Sequence, residues 1–171
     1  MPPRITRPVL RDATPLDAAG IASIWNPIIR DTPISFSPTE RSHDEVAALI
    51  LERPSSALAF MVADIDGEIA GFATYSQFRA GIGYARCMEH TIHAAPQYRG
   101  AGIGRMLLNA IEDHARQHHY RMMIGAITAS NTASVLFHQA MGYQEYGRVP
   151  FAGWKFGEFH DLVLMGKDLA P

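Results

Sequence analysis

A chain of 171 residues is long enough for one domain with a substantial core, and 47% apolar with 19% charged residues excludes an intrinsically disordered chain. The formal net charge of −2 gives no overall field for nucleic acid or an anionic membrane, and no apolar run approaches the roughly 18 residues of a membrane span. A single cysteine, Cys87, excludes an internal disulfide and a multi-thiolate zinc site; with no signal-type apolar stretch in the opening "MPPRITRPVLRD", a reducing, cytoplasmic location is expected. Val9–Ala13 reads as a first strand. Thr14-Pro15-Leu16-Asp17 is a helix start, with Thr14 as N-cap, Pro15 at the first helical position and Asp17 reaching back. The helix that follows carries Leu16, Ile21, Ile24 and Ile28. Beyond the Pro-rich loop "DTPISFSP", Ser42-His43-Asp44-Glu45 is a second capping box, opening a helix with Val46, Leu49 and Ile50. Ala57–Ala63 and Ile69–Phe78 read as a hairpin around "DIDGE".

The glycine-rich loop "RAGIGYAR" precedes a strand over Met88–Ala94. Ile103, Met106, Leu107, Ala110 and Ile111 recur at helical period, so a helix is predicted from Gly102 to about Tyr120. Met122–Ile127 is an apolar strand, Thr132–Met141 a short helix closed by Gly142, and Tyr143–Val149 and His160–Leu164 the last strands. A hairpin-rich first half and a βαβ unit in the second predict one α/β domain over 1–171, a mixed sheet with helices on both faces.

Between the fourth strand and its helix stands "QYRGAGIGRM", with three glycines at alternate positions and two arginines. A strand, a bare turn and a helix N-terminus make an anion site, because backbone N–H groups and the helix dipole converge there. Arg99 and Arg105 add charge-assisted donors. The plain alternative is a tight strand–helix connection with surface arginines. Both nucleotide fingerprints are weak matches: Arg105-Met106 stands where Walker A requires Lys and a hydroxyl, and the mid-chain position speaks against a Rossmann fingerprint.

Arg99-Gly100-Ala101-Gly102-Ile103-Gly104 resembles the Q/R-x-x-G-x-G/A signature of the GNAT superfamily of N-acetyltransferases, and the resemblance extends over nearly the whole chain. "YSQFRAGIGYARCMEHTIHAAPQYRGAGIG" and "GWKFGEFHDLVLMGKDL" are similar to the branch that acetylates phosphinothricin and methionine sulfoximine. The resemblance implies a mostly antiparallel GNAT-like sheet, parted between the strand holding Thr91–Ala94 and the strand Met122–Ile127. It implies acetyl-CoA as co-substrate, a small amine as acceptor and a homodimer. Backbone groups of Ile92, His93 and Ala94 would pair with the pantetheine arm, and residues 99–105 would hold the pyrophosphate. Asn131 matches a residue that bonds the arm, with Ser134 nearby; Asn131 also reads as a helix N-cap, and the two roles are compatible.

The resemblance makes Glu89 the general base. A glutamate inside an apolar strand is unusual and burial raises its pKa; the alternative is a structural carboxylate paired to Arg79 or Arg86. His138 stands where many members carry an acidic tyrosine, and would protonate the departing thiolate or bond the cofactor. His93 touches substrate or packs. For the acceptor, Arg79 matches an arginine position of the methionine sulfoximine enzymes, Phe36 an aromatic one, and Tyr84 offers a hydroxyl. Arg79 also reads as a solvated loop cation, and Ala80, Gly81 and Ile82 depart from the branch's "RPFEGY". Rival readings are a zinc site at His114, His118 and His119, a Cys87 nucleophile, an acyl-CoA sensor and a peptide N-terminal acetyltransferase. A capped helix end explains the histidines without metal, and no metal is expected.

Overall fold

The computed structural model describes residues 7–171. Its elements in chain order are β1 (Val9–Asp12), α1 (Ala18–Asp31), α2 (His43–Ser55), β2 (Phe60–Ile65), β3 (Glu68–Gln77) and β4 (Cys87–Ala94). They continue with α3 (Ile103–Gln117), β5 (Met122–Thr128), α4 (Thr132–Ala140), β6 (Gln144–Lys155) and β7 (Glu158–Asp168). One seven-stranded sheet runs β1-β2-β3-β4-β5-β7-β6, antiparallel everywhere except at β4–β5.

The period-2 alternation of the central strands sorts their side chains between two cores. Phe60, Val62 and Phe72 pack under Ile21, Trp25 and Ile29 of α1 and Val46 and Ile50 of α2. Ala63, Ala73, Tyr75 and Met88 face Leu107, Leu108 and Ile111 of α3, and Val135 and Phe137 of α4 join that side. Helices thus cover both faces, α1 and α2 on one and α3 and α4 on the other.

Both capping boxes form. Ser42 Oγ accepts from Glu45 N at 3.1 Å while Glu45 Oε2 accepts from Ser42 N at 2.7 Å. Asp17 Oδ2 accepts from Thr14 N at 2.8 Å, but Pro15–Asp17 is a 3₁₀ turn ahead of α1. Leu16 therefore leaves the apolar stripe and stands 93% exposed. The larger departure is the last hairpin. Gly147, Pro150 and Gly153 read as strand breakers, yet β6 runs through them by shifting register between Glu145 and Gly147 and between Val149 and Gly153. Because β6 is the edge strand, Pro150 disrupts no inner ladder. The turn at Phe156 and Gly157, with φ of 55° and 76°, has the two positive angles of a tight hairpin.

What positions the site is the contact between β4 and β5. These strands pair only at Cys87–Met122, Met88–Met123 and Glu89–Ile124. Past Glu89, β4 pairs with β3 alone and β5 with β7 alone. The backbone of Thr91–Ala94 facing β5 therefore has no ladder partner.

Candidate active site

Two contiguous cavities open at this parting. A groove of about 550 Å³ runs from Ile92, His93 and Ala94 to the start of α3, where Arg99, Gly100, Gly102, Ile103, Gly104 and Arg105 line it. Ala101 belongs to the same turn but does not line the groove, its N–H donating to Tyr98 O at 3.3 Å. Gly100 and Gly102 have φ of 79° and 80°, and a Cβ on either would meet nothing within 4 Å. These two glycines therefore provide the left-handed turn and an open cradle. Gly104 is bare for another reason: a Cβ there would come 3.3 Å from the Phe137 ring. The first N–H groups of α3 lack intrahelical acceptors and face this cradle. Arg99 and Arg105 are exposed and make no ion pair among the described residues. Open cradle, free donors and unengaged cations together fit a pyrophosphate.

The second cavity, about 220 Å³, shares Ile34, Ile92, His93, Asn131, Ser134 and His138 with the groove. Its remaining wall includes Glu89, Trp25 and Arg41. Alternation along β4 turns Glu89 and His93 toward the α1–α2 face, and His90 and Ile92 toward α3 and α4. Glu89 is half-buried, and its carboxyl has no hydrogen bond or ion pair among the described residues. Burial raises its pKa above the ordinary carboxylate range. Neither expected structural partner engages it: Arg86 donates to His119 O at 2.9 Å, and the Arg79 guanidinium lies 5.7 Å from the Tyr84 ring.

His138 is buried beneath the junction. Its Nδ1 lies 2.7 Å from Ser134 O, which can only accept, so Nδ1 carries the hydrogen. Nε2 is then a lone pair, and it accepts from His90 Nε2 at 3.2 Å. His90 Nδ1 is left buried without a partner. Burial holds both imidazoles neutral, His90 pushed down to about 3. His138 thus has no imidazolium proton to give at neutral pH, which weighs against the acid role and for a structural or cofactor-bonding one. His93 packs edge-on against Phe72 at 5.6 Å and also lines both cavities, so packing and contact are not alternatives. Burial and the charge of Arg99 bring its pKa down to about 4. Asn131 Oδ1 accepts from Ser134 N at 3.3 Å as the N-cap of α4, while the residue borders both cavities.

The three residues expected at the acceptor stand elsewhere. Arg79 and Tyr84 lie on an exposed loop closed on itself, where Gln77 Nε2 donates to Arg79 O at 2.6 Å and Gly81 O at 2.7 Å. Phe36 stacks on His160 with centroids 6.0 Å apart. None of the three lines either cavity. Trp25 and Arg41 line the second cavity instead, and the sequence analysis singled out neither. Lys155 was also missed. It is buried and donates to the carbonyls of Ile29, Thr32 and Ser35, tying the C-terminus of α1 and the cavity's Ile34–Ser35 wall to β6.

The rival sites lack geometry. His114 and His118 stack at 4.2 Å, His114 Nδ1 is 2.6 Å from Tyr75 Oη, and His118 Nδ1 is 2.9 Å from His114 O. The Cys87 thiol lines neither cavity, and burial and Glu89 both raise its pKa, which keeps it a thiol.

Residues 24–143 match the model of the Acetyltransferase (GNAT) family. The chain is 32% identical over 163 residues to the L-methionine sulfoximine/L-methionine sulfone acetyltransferase of Pseudomonas paraeruginosa, covering 95% of each. It is 30% identical over 156 residues to the L-amino acid N-acyltransferase MnaT of Escherichia coli, covering 91% of each. A phosphinothricin acetyltransferase from Sinorhizobium meliloti, solved in complex with acetyl-CoA, has a TM-score of 0.90 at 28% identity, over 96% of this chain and 90% of that one.

Proposed function

The chain belongs to the acetyltransferase (GNAT) family, whose co-substrate is acetyl-CoA, and from that premise we propose that it acetylates the α-amine of a small amino-acid-like acceptor, of methionine sulfoximine or phosphinothricin type, with Glu89 as general base. The observation that carries this reading is the unpaired, half-buried Glu89 carboxyl in a small cavity joined to an anion-cradling groove.

When bound, acetyl-CoA supplies an acetyl thioester whose carbonyl carbon takes the amine nitrogen as the C–S bond breaks and sulfur leaves with the electron pair. Residues 99–105 would hold the pyrophosphate through backbone N–H groups and the guanidinium groups of Arg99 and Arg105. The free edge of β4 at residues 91–94 aligns the amide-bearing arm along the parting. Asn131 and Ser134 border that path from α4. Glu89 takes the proton that the amine loses as it attacks, directly or through one water, and its raised pKa makes it a better base than a solvated carboxylate. His138 and His90 anchor α4 to β4. Acid assistance is a small need here, since an alkyl thiol of cysteine type titrates near about 8.5 and leaves readily.

At about 220 Å³ the acceptor cavity falls below the roughly 300–1,000 Å³ of drug-sized pockets, which favours one amino acid over a peptide. A thiol-release screen of amino acids, polyamines, aminoglycosides and N-terminal peptides tests the substrate half; faster turnover of polyamines or peptides than of any amino acid defeats it. Glu89→Gln tests the base. We expect kcat to fall about 10²–10⁴-fold with acetyl-CoA affinity kept, and the residual rate to climb with pH as more amine arrives neutral. A folded, cofactor-binding variant with wild-type kcat across the pH range would defeat the base assignment and favour a substrate-assisted reaction. The reading includes a cytoplasmic homodimer; the lone, partly buried thiol suits that compartment, and no described helix is long and apolar enough to cross a membrane.

A further inference from the structure

Arg41 is a cation set into the wall of the acceptor cavity without an anion. Its Nε is shut away from water with no hydrogen-bond partner, and it forms no ion pair among the described residues. A buried donor left unmade is costly, so it implies a partner that arrives. The surroundings do not provide one. Glu45 lies within electrostatic reach but spends its carboxylate on Ser42 and closes no ion pair with Arg41, and Arg53, also within reach, adds like charge.

The side chain is held rather than loose. Its guanidinium lies 4.2 Å from the centroid of the Trp25 ring, and Trp25 in turn rests on Phe72 at 5.0 Å. The Arg41 backbone is clamped from both sides by one amide: Asn26 Oδ1 accepts from Arg41 N at 2.9 Å, and Asn26 Nδ2 donates to Arg41 O at 3.0 Å. A stacked guanidinium keeps its planar fork free along the ring edge, the geometry that takes a carboxylate through two parallel hydrogen bonds. Glu89 borders the same cavity. An α-amino acid carries its amine and carboxylate on one carbon, and the cavity offers a base for the first and a fixed fork for the second.

We propose that Arg41, laid on Trp25 and clamped by Asn26, is the specificity residue that binds the α-carboxylate of the acceptor, a role the exposed Arg79 does not fill. The inference rests on the amino-acid acceptor reading above.

The test is steady-state kinetics on L-methionine sulfone and its α-carboxamide, which differ only in the charge at that group. Wild type is expected to favour the acid. Arg41→Gln is expected to raise KM for the acid about 10- to 100-fold and to erase the preference, while Arg41→Lys, which keeps charge but not the fork, recovers part of it. Acetyl-CoA affinity by calorimetry and the melting temperature show that each variant is folded; should Arg41→Gln fail to fold, the loss of preference in Arg41→Lys decides. A folded Arg41 variant that keeps the full preference, with Arg79→Ala losing it, overturns the assignment and leaves the acceptor class standing. A wild-type enzyme that treats acid and amide alike overturns the inference and leaves the acceptor class standing, whereas one that turns over polyamines and neither sulfone compound overturns both.

Discussion

Glu89 carries a stability consequence opposite to that of an ion-paired carboxylate such as Asp17. Its pKa in the folded chain lies above the ordinary value because burial disfavours the charged form and nothing pairs with it. The unfolded chain therefore releases this proton more readily than the folded one. Stability is lost as pH rises from the unfolded value through the folded one, and the ionised side chain weighs against folding at neutral pH. Glu89→Gln removes that weight, so its melting temperature at pH 7–8 is expected to exceed wild type. The advantage should shrink as pH falls below about 4, where both carboxyl states are protonated. Denaturation at the two pH values checks this. Loss of stability at neutral pH would point to a paired, structural carboxylate instead. Asp17 shows the contrast: Arg11 donates to it at 2.8 and 2.9 Å and holds its pKa low, so its contribution is present at neutral pH and fades in acid.

Among the elements, the turn into α3 is the one whose chemistry is local. Gly102 is its N-cap with φ of 80°. Gly102→Val both strains that angle and fills the cradle, so acetyl-CoA affinity by calorimetry is expected to fall by tenfold or more; unchanged affinity in a folded variant would move the pyrophosphate elsewhere. This turn, both capping boxes and the apolar stripe of α3 were legible because each is decided within a few residues of chain. Glu89 was legible as a carboxylate in an apolar strand, but the cavity wall that Trp25 and Arg41 add to it was not, because a helix, a loop and a strand far apart in sequence meet there only through packing. Arg79 was attractive by resemblance, yet its loop is closed by Gln77 and turned to solvent. The length of β6 was hidden for a different reason. Glycine and proline punctuate a chain in general, but an edge strand with two register shifts absorbs them. Lys155, in that strand, gains its buried role only when the fold delivers three carbonyls to it.

For the whole molecule, the hairpin of β6 and β7 leaves one side uncovered. Phe151 is 71% exposed, and Trp154, Phe156 and Phe159 are exposed around it, with Trp154 and Phe159 rings 4.7 Å apart. Soluble monomers rarely display such patches, so the homodimer of the proposed reading would make its contact through this edge hairpin. Trp154→Asp with Phe159→Asp is expected to yield monomers in sedimentation velocity; a wild-type protein that sediments as a monomer at all concentrations removes the dimer from the reading. The parting of β4 and β5 has a further consequence. With three paired positions joining them, the two halves of the sheet are sewn together only at one end. A ligand arm bonded along residues 91–94, as proposed above, would act as a temporary strand that completes the seam. Cofactor occupancy would then be part of the protein's own cohesion, adding about 2.7 kcal/mol when the ligand is at a hundred times its dissociation constant. In amide hydrogen exchange, the N–H groups of residues 91–94 that face β5 should exchange quickly in the free protein and slow sharply with acetyl-CoA, while those bonded to β3 stay protected in both. Equal protection with and without ligand would mean that the arm does not lie along β4.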